Sequence, residues 1–231
     1  MVGNWPASRE ALVAEQAALG AERGRPPPDR PSAVAGCFVC FDGDDAAWAA
    51  AAVVGGGEPA VVVVAGRAGW PYEPGLLALR EGPLLEAAVL ALPRRPDLLL
   101  VNATGRDHPR RCGLAVHLGA VLGLPTVGVN HRPLLAAGAE PGPARGDTSP
   151  LLLDGEEVGR WVRTRPGHRP LAATAGWGTT PGDAAAAVLA AASARRTPEP
   201  VALARTAART ARARREPRPP VDVEVEVDGQ G

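Results

Sequence analysis

The 231-residue sequence contains no lysine, so all 25 of its basic residues are arginine. It has three cysteines, an odd number that gives no complete disulfide framework and is typical of the reducing cytosol. The first residues lack the cationic start and apolar core of a signal peptide, and no apolar run approaches membrane-spanning length. These absences exclude a disulfide scaffold and predict a cytoplasmic protein that does not enter the membrane.

Charge is balanced in total, with 25 basic and 25 acidic residues, but it is unevenly spread along the chain. Five arginines crowd residues 205–215, and acids alternate with valine over residues 222–228. We predict one domain over residues 1–215 and a disordered acidic tail over residues 216–231. The basic segment predicts a helix with a solvated arginine face, which would attract nucleic acid without specificity.

The first part of the chain predicts a helix over residues 8–22 and then three strands. The strands are VAGCFVCF (residues 34–41), AAWAAAAVV (46–54) and PAVVVVA (59–65), and the short turns between them favour an antiparallel meander. Alanine favours helix in the second of these runs, but its position between two strands predicts a strand. Residues three apart on a strand face opposite sides, so Cys37 and Cys40 do not form a metal site.

The next part alternates helices and strands, after a predicted loop over residues 69–82. It carries a predicted helix over residues 83–92 with Pro83 in its first turn, a buried strand over 97–101, a helix over 112–122 and a buried strand over 125–129. Later elements are a hairpin around Asp154 and Gly155 and helices over residues 180–193 and 200–215. The order predicts an α/β fold with a mixed sheet, in which three antiparallel strands lead into a strand-helix-strand unit.

Four segments together resemble the endonuclease V family, over about residues 5–210. They are WPASREALVAEQ (residues 5–16), PYEPGLLALREGPLL (71–85), PDLLLVNATGRDHPRRCGLAVHLGAVLGLPTVGV (96–129) and TPEPVALA (197–204). The resemblance implies an RNase H-like fold. It also implies a Mg²⁺-dependent DNA-repair nuclease that recognises deaminated purines such as hypoxanthine in DNA or RNA and cuts the strand nearby. Clustered carboxylates in such an enzyme hold the Mg²⁺ that activates water and stabilises charge on phosphorus.

The family's acidic positions are largely replaced in this chain. By resemblance, its first-strand aspartate aligns with Phe38, its second aspartate aligns with Asn102, and only the glutamate, Glu81, is retained. The family's last acid or histidine has two candidate matches, Thr174 and His168. Glu81 and Asn102 would be the metal ligands, and an amide oxygen adds no charge to hold Mg²⁺. We therefore expect hydrolysis to be strongly weakened.

Other carboxylates are candidates for a rebuilt site of unfamiliar geometry. Asp42 shares the strand face of Phe38 but lies about 13 Å further along at the usual strand rise. Asp44, Asp45 and Asp107 are the remaining candidates.

The resemblance also assigns residues that would contact nucleic acid. Pro71, Tyr72, Glu73 and Pro74 match the loop that the family inserts beside a flipped base, and two prolines stiffen it. The alternative for Tyr72 is an ordinary hydrophobic anchor. Glu73 departs from the family pattern, and an acid at this place opposes the approach of phosphates. We refer to residues 71–74 as the wedge loop.

A second group of residues would form the pocket and its surroundings. Gly105, His108 and Gly113 match the part of the family that walls the base pocket, while Arg110 and Arg111 would contact phosphates or brace that pocket. Taken alone, each of these arginines could instead be an ordinary solvated surface residue.

One further pair follows the last buried strand. His131 and Arg132 stand where the family has a lysine near the scissile phosphate, and Arg132 is the better cation at neutral pH.

Two other functions stay open on the sequence. One is a noncatalytic, monomeric module that binds inosine-containing nucleic acid without cutting it. The other is a fold recruited for a different partner, which would show no preference for inosine.

Overall fold

A computed structural model of the protein describes residue 3 and residues 5–43, 45–193 and 195–215. The predicted acidic tail, residues 216–231, and Asp44 lie outside the described residues. The elements in chain order are α1 (Arg9–Ala21), β1 (Val34–Phe41), β2 (Ala46–Val54), β3 (Ala60–Arg67), α2 (Leu77–Leu90), β4 (Leu98–Val101), α3 (Leu114–Leu122), β5 (Thr126–Asn130), β6 (Thr148–Leu153), β7 (Glu156–Val162), β8 (Leu171–Ala175), α4 (Pro181–Ala191) and α5 (Glu199–Arg214).

The described strands form one mixed sheet in the order β3-β2-β1-β4-β5-β8-β7-β6. β1, β2 and β3 pair antiparallel, β1 pairs parallel with β4, and β4 pairs parallel with β5. This confirms the predicted meander and strand-helix-strand unit. β8 was not predicted, because its sequence LAATA is rich in alanine, which has little intrinsic strand preference. Antiparallel pairing with β5 and β7 holds it as a fully buried strand.

The alanine-rich run of β2 is a strand, as its position predicted, and every residue from Ala47 to Val53 is buried. Small side chains on both faces let a helix approach from each side. Ala49 packs in the same cluster as α2, while Ala50 packs with Ala204 of α5. Tertiary packing therefore overrides the helix propensity of the run.

Helix α2 begins at Leu77, six residues before the predicted start at Pro83. Proline lacks the N–H that would bond the carbonyl of Leu79, and this usually breaks a helix. Here the buried Ala78 and Leu79 continue the apolar face of Leu85, and Gly69 N–H donates to the neighbouring Arg80 carbonyl (3.5 Å). Packing keeps the turn helical, so residues 77–82 are helix rather than loop.

Two layers of helices cover the sheet. One core cluster joins Cys37 to residues of α1, α2 and α3, and another joins Cys40 to α5. The two cysteines therefore face opposite sides, as predicted, and all three cysteines are buried and free. α5 crosses β1 closely, since a Cβ on Gly36 would lie 2.4 Å from the backbone nitrogen of Val201. No helix within the described ranges is both long and apolar enough to cross a membrane.

Candidate functional site

The candidate site lies where the central parallel strand β4 ends. Its last residue, Val101, pairs with Cys37, so β1 continues beyond β4 from Phe38 onward. Asn102 N–H donates to the Cys37 carbonyl (3.4 Å), which keeps Asn102 beside this extension. Ligands of α/β sheets collect at the carboxyl ends of such strands.

The wedge loop stands at the surface near this strand end. Tyr72 is 69% exposed, and Pro71 and Pro74 are also exposed. The carboxylate of Glu73 forms an ion pair with Arg9 of α1. The negative charge that departs from the family pattern is thus compensated from within the protein.

The backbone just after the wedge loop is held by a convergence of donors on one carbonyl. Gly75 has a φ of 81°, a conformation that glycine adopts easily. Its carbonyl oxygen lies 3.2 Å from Gln16 Nε2, from His108 Nε2 and from Arg110 Nη2. Arg110 Nε donates in turn to Gln16 Oε1 (2.8 Å). Arg110 therefore braces the loop, which was one of its two predicted roles.

His108 is a neutral part of this network. Burial lowers its pKa to about 4, a backbone bond to Gly75 raises it in part, and the Arg110 charge lowers it further. The N–H of Arg110 donates to Nδ1 (3.3 Å), so Nε2 carries the proton and donates to the Gly75 carbonyl. The imidazole is 2% exposed and acts as a fixed connector.

The glycines assigned to the pocket wall are required by close backbone approach. A Cβ on Gly105 would lie 2.0 Å from the carbonyl oxygen of Ala175, and a Cβ on Gly113 would lie 2.5 Å from that of Thr104. Gly113 N–H donates to the Gly105 carbonyl (2.9 Å). Side chains at these places would push the wall apart.

A cavity of about 170 Å³ joins the wedge loop, the wall and the strand ends. Among its lining residues are Tyr72, Glu73, Pro74, His108, Gly113, Asn102 and Asn130. The structure therefore brings together, around one space, residues that the sequence assigned to base recognition and one that it assigned to metal binding.

Arg205 of α5 fills the place between Asn102 and Phe38. Its Nη2 donates to Asn102 Oδ1 (2.9 Å), and its Cζ lies 5.5 Å from the centroid of the Phe38 ring. Arg209, one turn further along α5, lies 5.6 Å from the same centroid. A cation thus contacts both positions where the family resemblance implies an acid.

The donor set does not fit Mg²⁺. Asn102 Oδ1 accepts a hydrogen bond from a guanidinium, which repels a second cation, and Phe38 offers no oxygen. Glu81 is carried by α2, on the other side of the sheet from α5, and burial raises its pKa to about 7. Over the described residues, no three His, Cys, Asp or Glu side chains are placed to hold a metal ion.

The other candidate acids have structural roles. Asp107 is fully buried and accepts backbone N–H bonds from Leu135 (2.8 Å) and Ala136 (2.7 Å), as well as from Leu134. Asp45 pairs with Arg80 (2.7 Å). Asp42 Oδ1 accepts from the Ala46 N–H (3.1 Å), which closes the β1–β2 turn. Asp107 in particular organises the loop after β5, so its predicted service as a replacement acid is not supported.

Two basic residues, His131 and Arg132, follow directly on β5. His131 and Arg132 are both exposed, and His131 Nδ1 lies 2.9 Å from Arg196 Nη1. Burial lowers the pKa of His131, and the charges of Arg196 and Arg205 lower it further, which keeps it neutral at pH 7.

Arg111 has a different role from these cations. Its Nε donates to Glu156 (3.1 Å) and its Nη2 to Asp154 (3.1 Å), so it anchors the β6–β7 hairpin. These contacts are with the hairpin, and neither of its two predicted roles, phosphate contact or bracing of the pocket, is tested by them.

The two candidates for the last acidic position lie in different environments. Thr174 Oγ1 accepts from the Gly105 N–H (2.8 Å) inside the wall, where it is fully buried. His168 is exposed in the β7–β8 loop, with Nδ1 3.1 Å from the Pro166 carbonyl. Neither residue is an acid. Among the described residues, the hydrogen-bond partner of Asn102 Oδ1 is Arg205.

Comparison with known proteins agrees with this architecture. The Endonuclease V family model matches residues 18–206. The chain belongs to the endonuclease V family. It is 44% identical to Endonuclease V of Streptomyces coelicolor, over 90% of this chain and 94% of that protein. The fold is RNase H-like, as the resemblance implied.

Solved structures of the family share the fold. The crystal structure of Endonuclease V from Streptomyces avermitilis is 38% identical, with a TM-score of 0.83 over 92% of this chain and 96% of that one. Endonuclease V of Ciona intestinalis, in complex with a 24mer DNA containing an inosine followed by a ribo-adenosine, is 19% identical, with a TM-score of 0.74 over 89% of this chain and 98% of that one. At that identity the likeness concerns the fold alone.

Sequence reasoning missed Arg205. It follows directly on TPEPVALA, one of the segments that carry the family resemblance, which was a usable signal. The sequence predicts a solvated face for the arginines of this helix. In the structure it is only partly exposed, since it lies next to the buried Ala204 and turns toward the sheet.

Proposed function

We propose that this protein binds DNA or RNA that carries a deaminated purine, and that it hydrolyses the strand far more weakly than a family member with its acids intact. The hydrogen bond from Arg205 to Asn102 carries the second half of this proposal. A guanidinium at this place repels the divalent cation on which the family's metal-dependent chemistry rests.

Base recognition is supported by the other half of the site. Tyr72 is exposed on a loop whose base is fixed through the Gly75 carbonyl, so it can enter a base stack at little cost in loop entropy. Behind it lies a cavity closed by glycines and by a neutral histidine. The Ciona relative was crystallised on inosine-containing DNA.

A noncatalytic module is the second candidate, and the charge inversion around Asn102 favours it. It would keep the wedge loop and the pocket and have no measurable cleavage. Both candidates predict selective binding, so only a cleavage assay separates them. A monomeric state and a cytoplasmic location are further predictions for either candidate.

Two assays on labelled strands test the proposal. Binding is measured with matched inosine- and adenosine-bearing DNA and RNA strands, and we expect tighter binding of the inosine strands. Cleavage is measured on the same strands with Mg²⁺ or Mn²⁺, beside an intact family member. Equal affinity for both bases would contradict recognition, and turnover near that of the intact relative would contradict the weakening.

Glu81→Ala then distinguishes the two candidates. If residual cleavage exists and this substitution removes it, the protein is a weak enzyme that still uses its retained carboxylate. If the unaltered protein shows no cleavage at any metal concentration, the noncatalytic module is the correct description.

A further inference from the structure

Four basic side chains gather on the face where the family resemblance implies acids. Arg205 and Arg209 share the Phe38 ring, and Arg196 contacts His131 (Nη1 to Nδ1, 2.9 Å). The groups are close enough to affect each other. Beyond burial, the charges of Arg209 and Arg196 lower the pKa of Arg205, and those of Arg196 and Arg205 lower the pKa of His131. We call Arg196, Arg205 and Arg209 the cationic cluster, and the neutral His131 lies against it.

The partners that fix Arg205 are neutral. The Asn102 amide accepts from Nη2, and the Phe38 ring offers its face, so neither cancels the positive charge. An aspartate at position 102 would form an ion pair and remove most of that charge from the site. The two replaced acid positions thus hold a guanidinium in one orientation and leave its charge available.

Arg205 also has bonding capacity left. Its Nε is buried and has no hydrogen-bond partner among the described residues. A buried donor without a partner costs free energy, which an incoming acceptor recovers. Arg196 is fixed by neutral groups too, because it donates to the carbonyls of Arg169 (2.6 Å) and Pro170 (2.8 Å).

Among the described residues, no carboxylate forms an ion pair with Arg196, Arg205 or Arg209. Glu199 lies on the same helix as Arg205, but six residues earlier in its first turn. Glu81 is carried by α2 on the opposite side of the sheet. An anion that approached the Phe38 face would therefore meet cations first.

We propose that the cationic cluster is a metal-independent site for a phosphodiester anion of the nucleic-acid strand, held directly by Arg205 with Arg209 and Arg196. Guanidinium groups donate in a planar fork that matches phosphate oxygens. In this chain the cluster contacts the backbone of the strand at the place where the family would otherwise contact it through a metal. The inference rests on the proposed binding of nucleic acid, and it assigns the site that holds the strand.

The salt dependence of strand binding tests the site directly. Affinity for a labelled inosine-bearing strand is measured by fluorescence anisotropy with EDTA present, over a range of salt concentrations. We expect EDTA to leave the affinity of the unaltered protein unchanged. Arg205→Gln should weaken binding about tenfold and reduce the slope of log affinity against log salt by about one phosphate contact.

Arg30→Gln is the matched control. Arg30 is exposed and precedes β1, at the opposite end of that strand from the cluster. Arg30→Gln removes the same charge as Arg205→Gln. Because Arg30 lies away from the cluster, this variant should leave the slope of log affinity against log salt unchanged. Arg209→Gln is a second variant at an exposed position, which keeps the test valid if Arg205→Gln fails to fold.

Asn102→Asp gives a sharper result. The new carboxylate would pair with Arg205, so we expect a loss of strand affinity similar to that of Arg205→Gln, without any gain on adding Mg²⁺. Inorganic phosphate alone should compete with the strand in the unaltered protein and compete less in Arg205→Gln.

Each outcome decides between the claims. Binding that disappears in EDTA, or an unchanged salt slope in both Arg205→Gln and Arg209→Gln, would overturn the anion site. Phosphate competition that is the same in Arg205→Gln would also overturn it. If the unaltered protein shows no preference for inosine but Arg205→Gln still reduces the salt slope, the proposed base recognition is overturned and the anion site is supported.

Discussion

The cavity behind the wedge loop and the two positions where the resemblance implies acids lie side by side at one end of the sheet, yet their interactions differ. Around the pocket, the Gly75 carbonyl, His108 and Arg110 form a closed set of hydrogen bonds, and glycines stand where backbones touch. At the acid positions, Phe38 and Asn102 hold a cation. Recognition depends on shape and fixed donors, whereas metal chemistry depends on net negative charge. One requirement can be met without the other.

Glu73 shows the same separation on a smaller scale. Its negative charge would repel a nucleic-acid strand, but Arg9, which lies on a helix distant in sequence, pairs with it. Near the pocket, then, an unfavourable charge is compensated. At positions 38 and 102, Arg205 contacts two neutral groups, and no ion pair within the described residues compensates its charge.

The largest expected effect comes from restoring negative charge at the acid positions. In Phe38→Asp/Asn102→Asp/Arg205→Ala, two carboxylates would stand at the acid positions without the competing guanidinium. We expect Mn²⁺ binding by calorimetry and a rise in cleavage of inosine-bearing strands on the order of 10²-fold. The matched control is Asn102→Asp alone, which keeps Arg205. A triple variant with no more cleavage than the control would contradict the idea that the residues at positions 38, 102 and 205 limit hydrolysis.

Acid should loosen the pocket through His108. Its pKa is lowered from 6.5 to about 4, so the unfolded state binds more protons between these values and stability falls as pH falls from about 6.5 to about 4. The shift corresponds to at most about 3 kcal/mol. Urea unfolding at pH 7 and pH 4.5 measures the fall, and His108→Asn should make it smaller. His117, whose pKa burial also lowers to about 4, contributes a similar fall that remains in the variant.

Tyr72→Ala should weaken binding of the inosine strand by about 2 kcal/mol, roughly thirtyfold, because stacking on a base is lost. Leu90→Ala is the control, since Leu90 is another large apolar residue that is 52% exposed but lies at the end of α2. Fold stability should not change in either variant, as thermal unfolding will show. Equal affinity of the two variants would indicate that Tyr72 is an ordinary surface residue.

The smallest effect is expected at the edge of the wedge loop. Arg9→Gln leaves the Glu73 carboxylate without its partner, and we expect strand affinity to fall about twofold, as is usual for exposed charges. Arg9→Gln/Glu73→Gln should return affinity to the starting value. If the double variant is as weak as the single one, Arg9 contacts the strand itself.

Much of the fold could be predicted from local patterns. Ser8 caps α1 as predicted, and the meander is joined by short turns at the predicted places. The helical turn before Pro83 and the strand β8 could not be predicted. In both cases packing against other elements outweighs a local preference against the observed structure. The late hairpin was recognised from Asp154 and Gly155, which form its turn with positive φ values.

The candidate site was predictable in part. The wedge loop, the wall glycines and Asn102 are identified from family segments, and the structure places Tyr72, Glu73, Pro74, Gly113 and Asn102 around one cavity. Arg205 was missed because its contact with Asn102 spans 103 positions of the chain. Nothing in a local pattern shows which side of an arginine-rich helix turns toward the sheet.

The sequence by itself determined the family and the order of most elements, since these depend on residue identity and short-range spacing. Only the tertiary structure decided which side chain contacts Phe38 and Asn102, the two positions where the resemblance implies acids. Helix α5 packs closely over β1, and this contact carries Arg205 to a neutral amide and an aromatic ring. Electrostatic interactions depend on distance in space, so the contact of Arg205 with Asn102 and Phe38 becomes visible only when the chain is folded.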